Sequence, residues 1–139
     1  MDYTYVSNIA EHAAELAKTG RPTGHVRGRA IHTDARLKAL IFPFEPGQAL
    51  EEHTAPHPIV LQFLEGEAVV TVGSDVREAG PGTWIHLPAH LPHSIQARTA
   101  VVMQLLVFPD HATAAAKPGG RQARVKKQRT RNPGAWSRP

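Results

Sequence analysis

The chain contains no cysteine. Disulfides, thiolate metal sites and a cysteine nucleophile are therefore excluded, and His, Asp, Glu and Ser are the residues expected to carry the chemistry. Long apolar runs are also missing: nothing approaches the length of a membrane span, and the opening MDYTYVSNIAEH lacks the basic-then-apolar profile of a secretory signal. A cytoplasmic protein is the expectation. Acidic residues are absent from 117 to 139, where Lys117, Arg121, Arg124, Lys126, Lys127, Arg129, Arg131 and Arg138 stand. The whole chain carries a formal +4, but residues 1 to 116 keep eight basic against twelve acidic residues, so the high pI belongs to the tail.

What remains fits one domain: 139 residues bury a real core but do not divide into two ordinary ones. The expected organisation is an N-terminal helical arm over residues 1–21, a β domain over 22–110 and a basic tail over 111–139. Within the tail, Ala112 to Ala116 form at most a weak helix. KPGGRQARVKKQRTRNPGAWSRP combines Gly, Pro and like charge, which predicts disorder in isolation. Such a segment can bind phosphate backbones or an anionic membrane without sequence selectivity. A solvated appendage is the preferred reading, because no nucleic-acid-binding fold accompanies the charge.

In the arm, Ile9, Ala13, Leu16 and Ala17 recur at helical spacing, so a helix is predicted from Asn8 to Lys18, capped by Ser7 and ended by Gly20. His12 falls on its polar face. The period then shortens to β-like runs: HVRGRAIHT from 25 to 33 and RLKALIFPF from 36 to 44, carrying His25 and His32 as exposed or neighbour-satisfied residues. Pro43 and Pro46 point to an edge or corner. IVLQFL from Ile59 reads as a strand buried on both faces or lining a barrel, interrupted only by Gln62. With AVVTVG it forms an expected hairpin turning at Gly66, followed by the polar connector SDVREAG and the short strands WIHLP, HSIQA and VVMQLLVF. An all-β antiparallel sandwich or barrel follows, for which jelly-roll closure is one solution.

Five of the nine histidines lie in two segments that open on Pro-Gly, PGQALEEHTAPHPIVLQFLEGE and PGTWIHLPAHLPHSI. Clustered imidazoles on β-rich sequence are the ingredients of a small metal site. Gly47, His53 and Gly66 in the first segment and Gly82, Pro88 and His93 in the second fall at the spacings of the two cupin motifs. Over about residues 22 to 109 the chain resembles that superfamily, and in particular small single-domain cupins with an EHTAP segment (Glu52 to Pro56) and a Gln before the LEGE turn (Gln62). The resemblance implies a jelly-roll β-barrel, a divalent metal, a small organic ligand, oxygenase or isomerase chemistry, and a homodimer. It also exposes departures: Ala55 and Ile59 stand where the family has a second His and a Glu, His90 where Gly is usual, and Ala97 where Asn is usual.

His53 and His93 occupy the family's ligand positions. If the backbone stays extended, His57 shares a face with His53 and can substitute for the imidazole missing at 55, giving a facial three-His set for zinc, iron, nickel, copper or manganese. Pro56 and Pro58 either hold His57 in that direction or swing it out. Loss of the metal with retention of an apolar cavity, as in a ligand-binding or sensor cupin, is the alternative. His86 lies two residues after Trp84 on one strand face; if Trp84 packs inward, His86 follows as a pocket acid, base or donor, or as a buried His bonded to a carbonyl. His90, in a turn between Pro88 and Pro92, is expected to be exposed. Gln62 is a substrate-orienting amide in the cavity or a polar residue on the opposite face, the resemblance favouring the cavity. Ser94 adjoins His93, but neighbouring strand residues face opposite ways, so no Ser-His dyad is expected.

Overall fold

The computed structural model describes residues 2–18 and 26–109. The basic tail, Gly20 and His25 lie outside them. One helix, α1 (Ile9–Lys18), precedes nine strands: β1 (Arg29–Thr33), β2 (Lys38–Phe44), β3 (Ala49–His53), β4 (Ile59–Glu65), β5 (Ala68–Val72), β6 (Asp75–Ala79), β7 (Trp84–Leu87), β8 (His93–Ala97) and β9 (Val101–Val107). The helix starts one residue later than Ser7 capping requires. Asn8 Oδ1 accepts the Glu11 N–H at 3.0 Å, so Asn8 is the cap and satisfies one of the free amides of the first turn. Among the described residues no helix is long and apolar enough to cross a membrane.

The strands form two antiparallel sheets, β1-β2-β9-β4-β7 and β3-β8-β5-β6, closed face to face as a jelly-roll barrel. Both sheets feed one core, with Phe44, Leu61, Phe63, Leu87 and Met103 from the first meeting Val70, Ile95 and Ala97 from the second. Alternation decides which side chains enter. Ile59, Leu61 and Phe63 of β4 point inward, so Val60, Gln62 and Leu64 take the outer face. On β2, Phe42 and Phe44 are the inward pair; Ala39 and Ile41 are buried instead on the outer face of the sheet, where α1 packs with Ala13 and Leu16. Pro43 lies in β2 beyond the last β1 partner, so it has a ladder neighbour on one side, that of β9, and the other side is open to a residue without an N–H.

Two connections differ from those the sequence suggests. β4 and β5 are not a hairpin: β4 pairs with β7 and β9, β5 with β6 and β8, and the turn at Gly66 carries the chain from one sheet to the other. Gly66 has φ +87°, and a Cβ there would sit 2.0 Å from the Ala100 carbonyl oxygen, so both its backbone and the close approach require glycine. The polar stretch read as a connector is itself β6, hairpin partner of β5. It forms the edge of its sheet, so Asp75, Arg77 and Glu78 are solvated although the backbone is paired.

Candidate functional site

The site grows from one cross-strand pair. His53 closes β3, His93 opens β8, and the two are direct partners in the ladder after a bulge in β3 that follows Leu50. Their ring centroids lie 4.4 Å apart with the planes tilted by 59°. His93 is buried at 3% exposure, whereas His53 is exposed, so the pair runs from the barrel wall to its rim.

Each ring is locked by the same local device. His53 Nδ1 lies 2.7 Å from the Glu51 carbonyl oxygen, and His93 Nδ1 lies 2.9 Å from that of Leu91, in both cases two residues back along the chain. A carbonyl oxygen only accepts, so each Nδ1 carries the proton and donates it. In the neutral rings both Nε2 atoms are therefore left with their lone pairs, turned away from the backbone that holds Nδ1. An N–H donated to a backbone carbonyl is the arrangement that orients metal-ligating histidines and raises their basicity toward the metal. Burial pushes the His93 pKa below the ordinary histidine range; the neighbouring His53 acts in the same direction, and the bond to Leu91 opposes it. His93 thus keeps its lone pair further into the acid than a solvated histidine does.

The surroundings are apolar. Ala55, Leu50, Leu91 and Val72 pack against the core cluster, and Ile59, at the position where the resemblance leads one to expect Glu, belongs to the core itself. A second clamp shapes the mouth: the His90 N–H donates to the Ala55 carbonyl oxygen at 2.7 Å, joining the 88–92 turn to the loop between β3 and β4. His90 adopts φ 69° at a position where the family pattern has Gly, a left-handed conformation that a residue with a Cβ takes at a cost. Its side chain is exposed, as expected of that turn.

The remaining residues singled out from the sequence are distributed elsewhere. β3 ends at His53, and Thr54 to Pro58 form an irregular loop, so the extended phase that would align His57 with His53 is broken by Pro56 and Pro58. His57 is half-buried in this loop, with Nδ1 shielded from solvent and without a hydrogen-bond partner among the described residues. No group of three or more His, Cys, Asp or Glu that could hold a metal ion occurs among the described residues. The two histidines that the ladder brings into contact are His53 and His93.

Gln62, Trp84 and His86 stand on the outer face of the first sheet. The ladder aligns Ile41, Gln104, Gln62 and Trp84 in one row across four strands, and Gln104 Nε2 donates to Gln62 Oε1 at 3.0 Å. Trp84 is 59% exposed, so the premise that would have turned His86 inward does not hold; the inward residues of β7 are Ile85 and Leu87. Sequence reasoning missed the carbonyls of Glu51 and Leu91. They belong to the backbone, and no residue type announces them.

A comparison with protein families matches the cupin domain over residues 40–109, half of the chain. No curated protein matches the sequence. Among solved structures, a conserved protein of unknown function from Streptococcus pyogenes is 21% identical, with a TM-score of 0.62 over 78% of this chain and 90% of that one. A cupin superfamily protein from Desulfitobacterium hafniense is 22% identical, with a TM-score of 0.59 over 66% of this chain and 84% of that one. A cupin 2 conserved barrel domain protein from Leptotrichia buccalis is 26% identical, with a TM-score of 0.58 over 68% of this chain and 45% of that one.

Proposed function

Because the chain belongs to the cupin family, we propose that it binds a small organic molecule in the mouth of its barrel, with His53 and His93 holding a divalent transition metal between them and the ligand. The observation that carries this reading is the shared tautomer: both Nδ1 protons are spent on backbone carbonyls, which leaves two Nε2 lone pairs on adjacent strands. Two neutral imidazole nitrogens suit zinc, iron, nickel, copper or manganese, and two protein donors leave open positions for water and ligand. When bound, such an ion supplies Lewis acidity toward an oxygen of the ligand. The chain's own contribution is to hold the rings in place through Glu51 and Leu91 and to cover the apolar body of the ligand with Leu50, Ala55 and Leu91. Oxygenase and isomerase chemistry are the reaction classes the family resemblance brings to such a site.

Metal analysis of tag-free protein, combined with a cobalt(II) titration followed by its visible absorption, tests this reading. One equivalent bound by the native chain, lost in His93→Ala and His53→Ala and kept in His57→Ala, is the expected result. Absence of uptake by the native chain would overturn the metal. Ala55 and Ile59, which remove two donors of the family pattern, favour a second reading: a non-catalytic ligand-binding or sensor protein. A metal-free protein that binds an apolar fluorescent probe in competition with small aromatic compounds, and turns none of them over, would select it.

A further inference from the structure

A separate constellation lies on the other side of the first sheet, away from the barrel interior. His32 of β1 pairs with Ala39 of β2, whose side chain is on the outer face next to α1, and the N-terminal arm meets it there. Thr4 Oγ1 lies 2.8 Å from His32 Nδ1, and His32 Nε2 lies 2.7 Å from Asp34 Oδ2. The other carboxylate oxygen, Oδ1, accepts the backbone N–H groups of Arg36 and Leu37, each at 2.8 Å, so Asp34 is fixed by the turn that follows β1. The hydrogen bond to His32 and then these two amides hold the Asp34 carboxyl down at about 2, so it is ionised throughout the neutral range.

The direction of each bond follows. A carboxylate only accepts, so His32 donates from Nε2. In the neutral imidazole Nδ1 then bears the lone pair, and the bond to Thr4 is donated by the hydroxyl. The order is hydroxyl, base, orienting carboxylate, with the base's lone pair on the hydroxyl proton; this is the arrangement that activates an alcohol for attack on an acyl group. Thr4 is exposed, so an acyl donor can reach it, and it comes from a different part of the chain than the His32–Asp34 pair.

We propose that Thr4 is a nucleophilic site, activated by His32 and oriented through Asp34, that accepts acyl groups from small activated esters. In the forward step Thr4 Oγ1 bonds to the acyl carbon while its proton passes to His32 Nδ1. The bond from the acyl carbon to the leaving oxygen breaks, and that oxygen takes the proton from His32. Hydrolysis reverses the roles: His32 takes a proton from water, the water oxygen attacks the acyl carbon, and Thr4 leaves reprotonated. No oxidant, reductant or metal enters either step. Asp34 and His32 have distinct roles here, His32 moving the proton and Asp34 acting as a positioning residue.

The test uses the full chain and p-nitrophenyl acetate, with tandem mass spectrometry locating acetyl groups. Site-resolved mapping is required because Tyr3 and Tyr5, 77% and 78% exposed, offer competing phenols on either side of Thr4. The expected result is acetyl on Thr4, formed about 10²-fold more slowly in His32→Gln, in line with loss of a general base. Asp34→Asn separates chemistry from architecture. The Asn carbonyl still accepts the two turn amides, while its NH2 donates to His32 Nε2 and moves the ring proton to Nδ1, so acetylation falls with the fold intact. Absence of acetyl on Thr4, or unchanged rates in either His32→Gln or Asp34→Asn, would overturn the proposal.

Discussion

The barrel mouth and the N-terminal corner use the same side chain in opposite senses. His53 and His93 give their Nδ1 protons to carbonyls of their own chain segments and are left with Nε2 lone pairs; His32 gives its Nε2 proton to Asp34 and turns the Nδ1 lone pair to a hydroxyl. A carbonyl and a carboxylate both fix a tautomer, but only the carboxylate adds a full negative charge that stabilises the imidazolium once a proton arrives. The mouth is therefore equipped to donate electron pairs to an electrophile or a metal. The corner is equipped to carry a proton.

The harshest way to break this contrast removes what both places share. Phe63 is fully buried in the core beneath the sheet that carries His32 on its far face, and Phe63→Ala is expected to cost about 3–5 kcal/mol, read as a lower denaturation midpoint. Both sites should then fail together on heating. Next in size is selective loss. His93→Ala should weaken cobalt(II) binding by about 10²-fold or more while Thr4 acetylation stays at the native rate, and His32→Gln should do the reverse; coupled losses would mean that the two sites are one.

A pH titration sharpens the contrast without mutation. The Asp34 carboxyl should titrate by carbon-detected NMR at about 2, below the ordinary carboxylate value of 3.8. Because the folded value is depressed, its contribution to stability is fully present above 3.8 and is lost as the pH falls toward 2. His93 is also depressed, from the ordinary histidine value of 6.5, but by burial. The unfolded chain binds the proton first, so stability is highest above 6.5 and declines as the pH drops from there toward the folded value. The His93 ring should therefore titrate below 6.5. The smallest effect belongs to Trp84→Ala. An exposed outer-face residue should change stability by no more than about 0.5 kcal/mol and leave cobalt binding and Thr4 acetylation untouched; a change in either would place Trp84 at a site.

Much of the barrel was legible because its turns need particular residues. Gly47, Gly66 and Gly82 all have positive φ, so their spacing in the sequence is a record of backbone conformations that other residues avoid. His53 and His93 followed from that same spacing. Other features were hidden for physical reasons. Charge conceals β6, since an edge strand keeps its pairing while its side chains are solvated. Alternation puts Trp84 and His86 in one phase of β7 but does not say which phase is inward, and for Gln62 the strand β4, with buried residues on both faces, gives no contrast to choose by. His57 was placed by a strand period that stops at His53. The Thr4–His32–Asp34 chain joins residues 28 apart in sequence through an arm without regular structure, which no periodicity reports.

Gly66 shares its positive φ with Gly73, yet the two turns differ in what lies beside them. The missing side chain of Gly66 leaves room for the Ala100 carbonyl, whereas at Gly73 nothing comes within 4 Å of where a Cβ would be. Gly73 and Ser74 sit between two strands that are already hydrogen-bonded neighbours, in an exposed turn. The Gly73 N–H does reach across to the Pro92 carbonyl oxygen at 2.9 Å, beside His93 and its ladder partner Val72, so a reporter peptide belongs after Ser74, where β5 and β6 keep their pairing and the tie to the His93 strand stays in place.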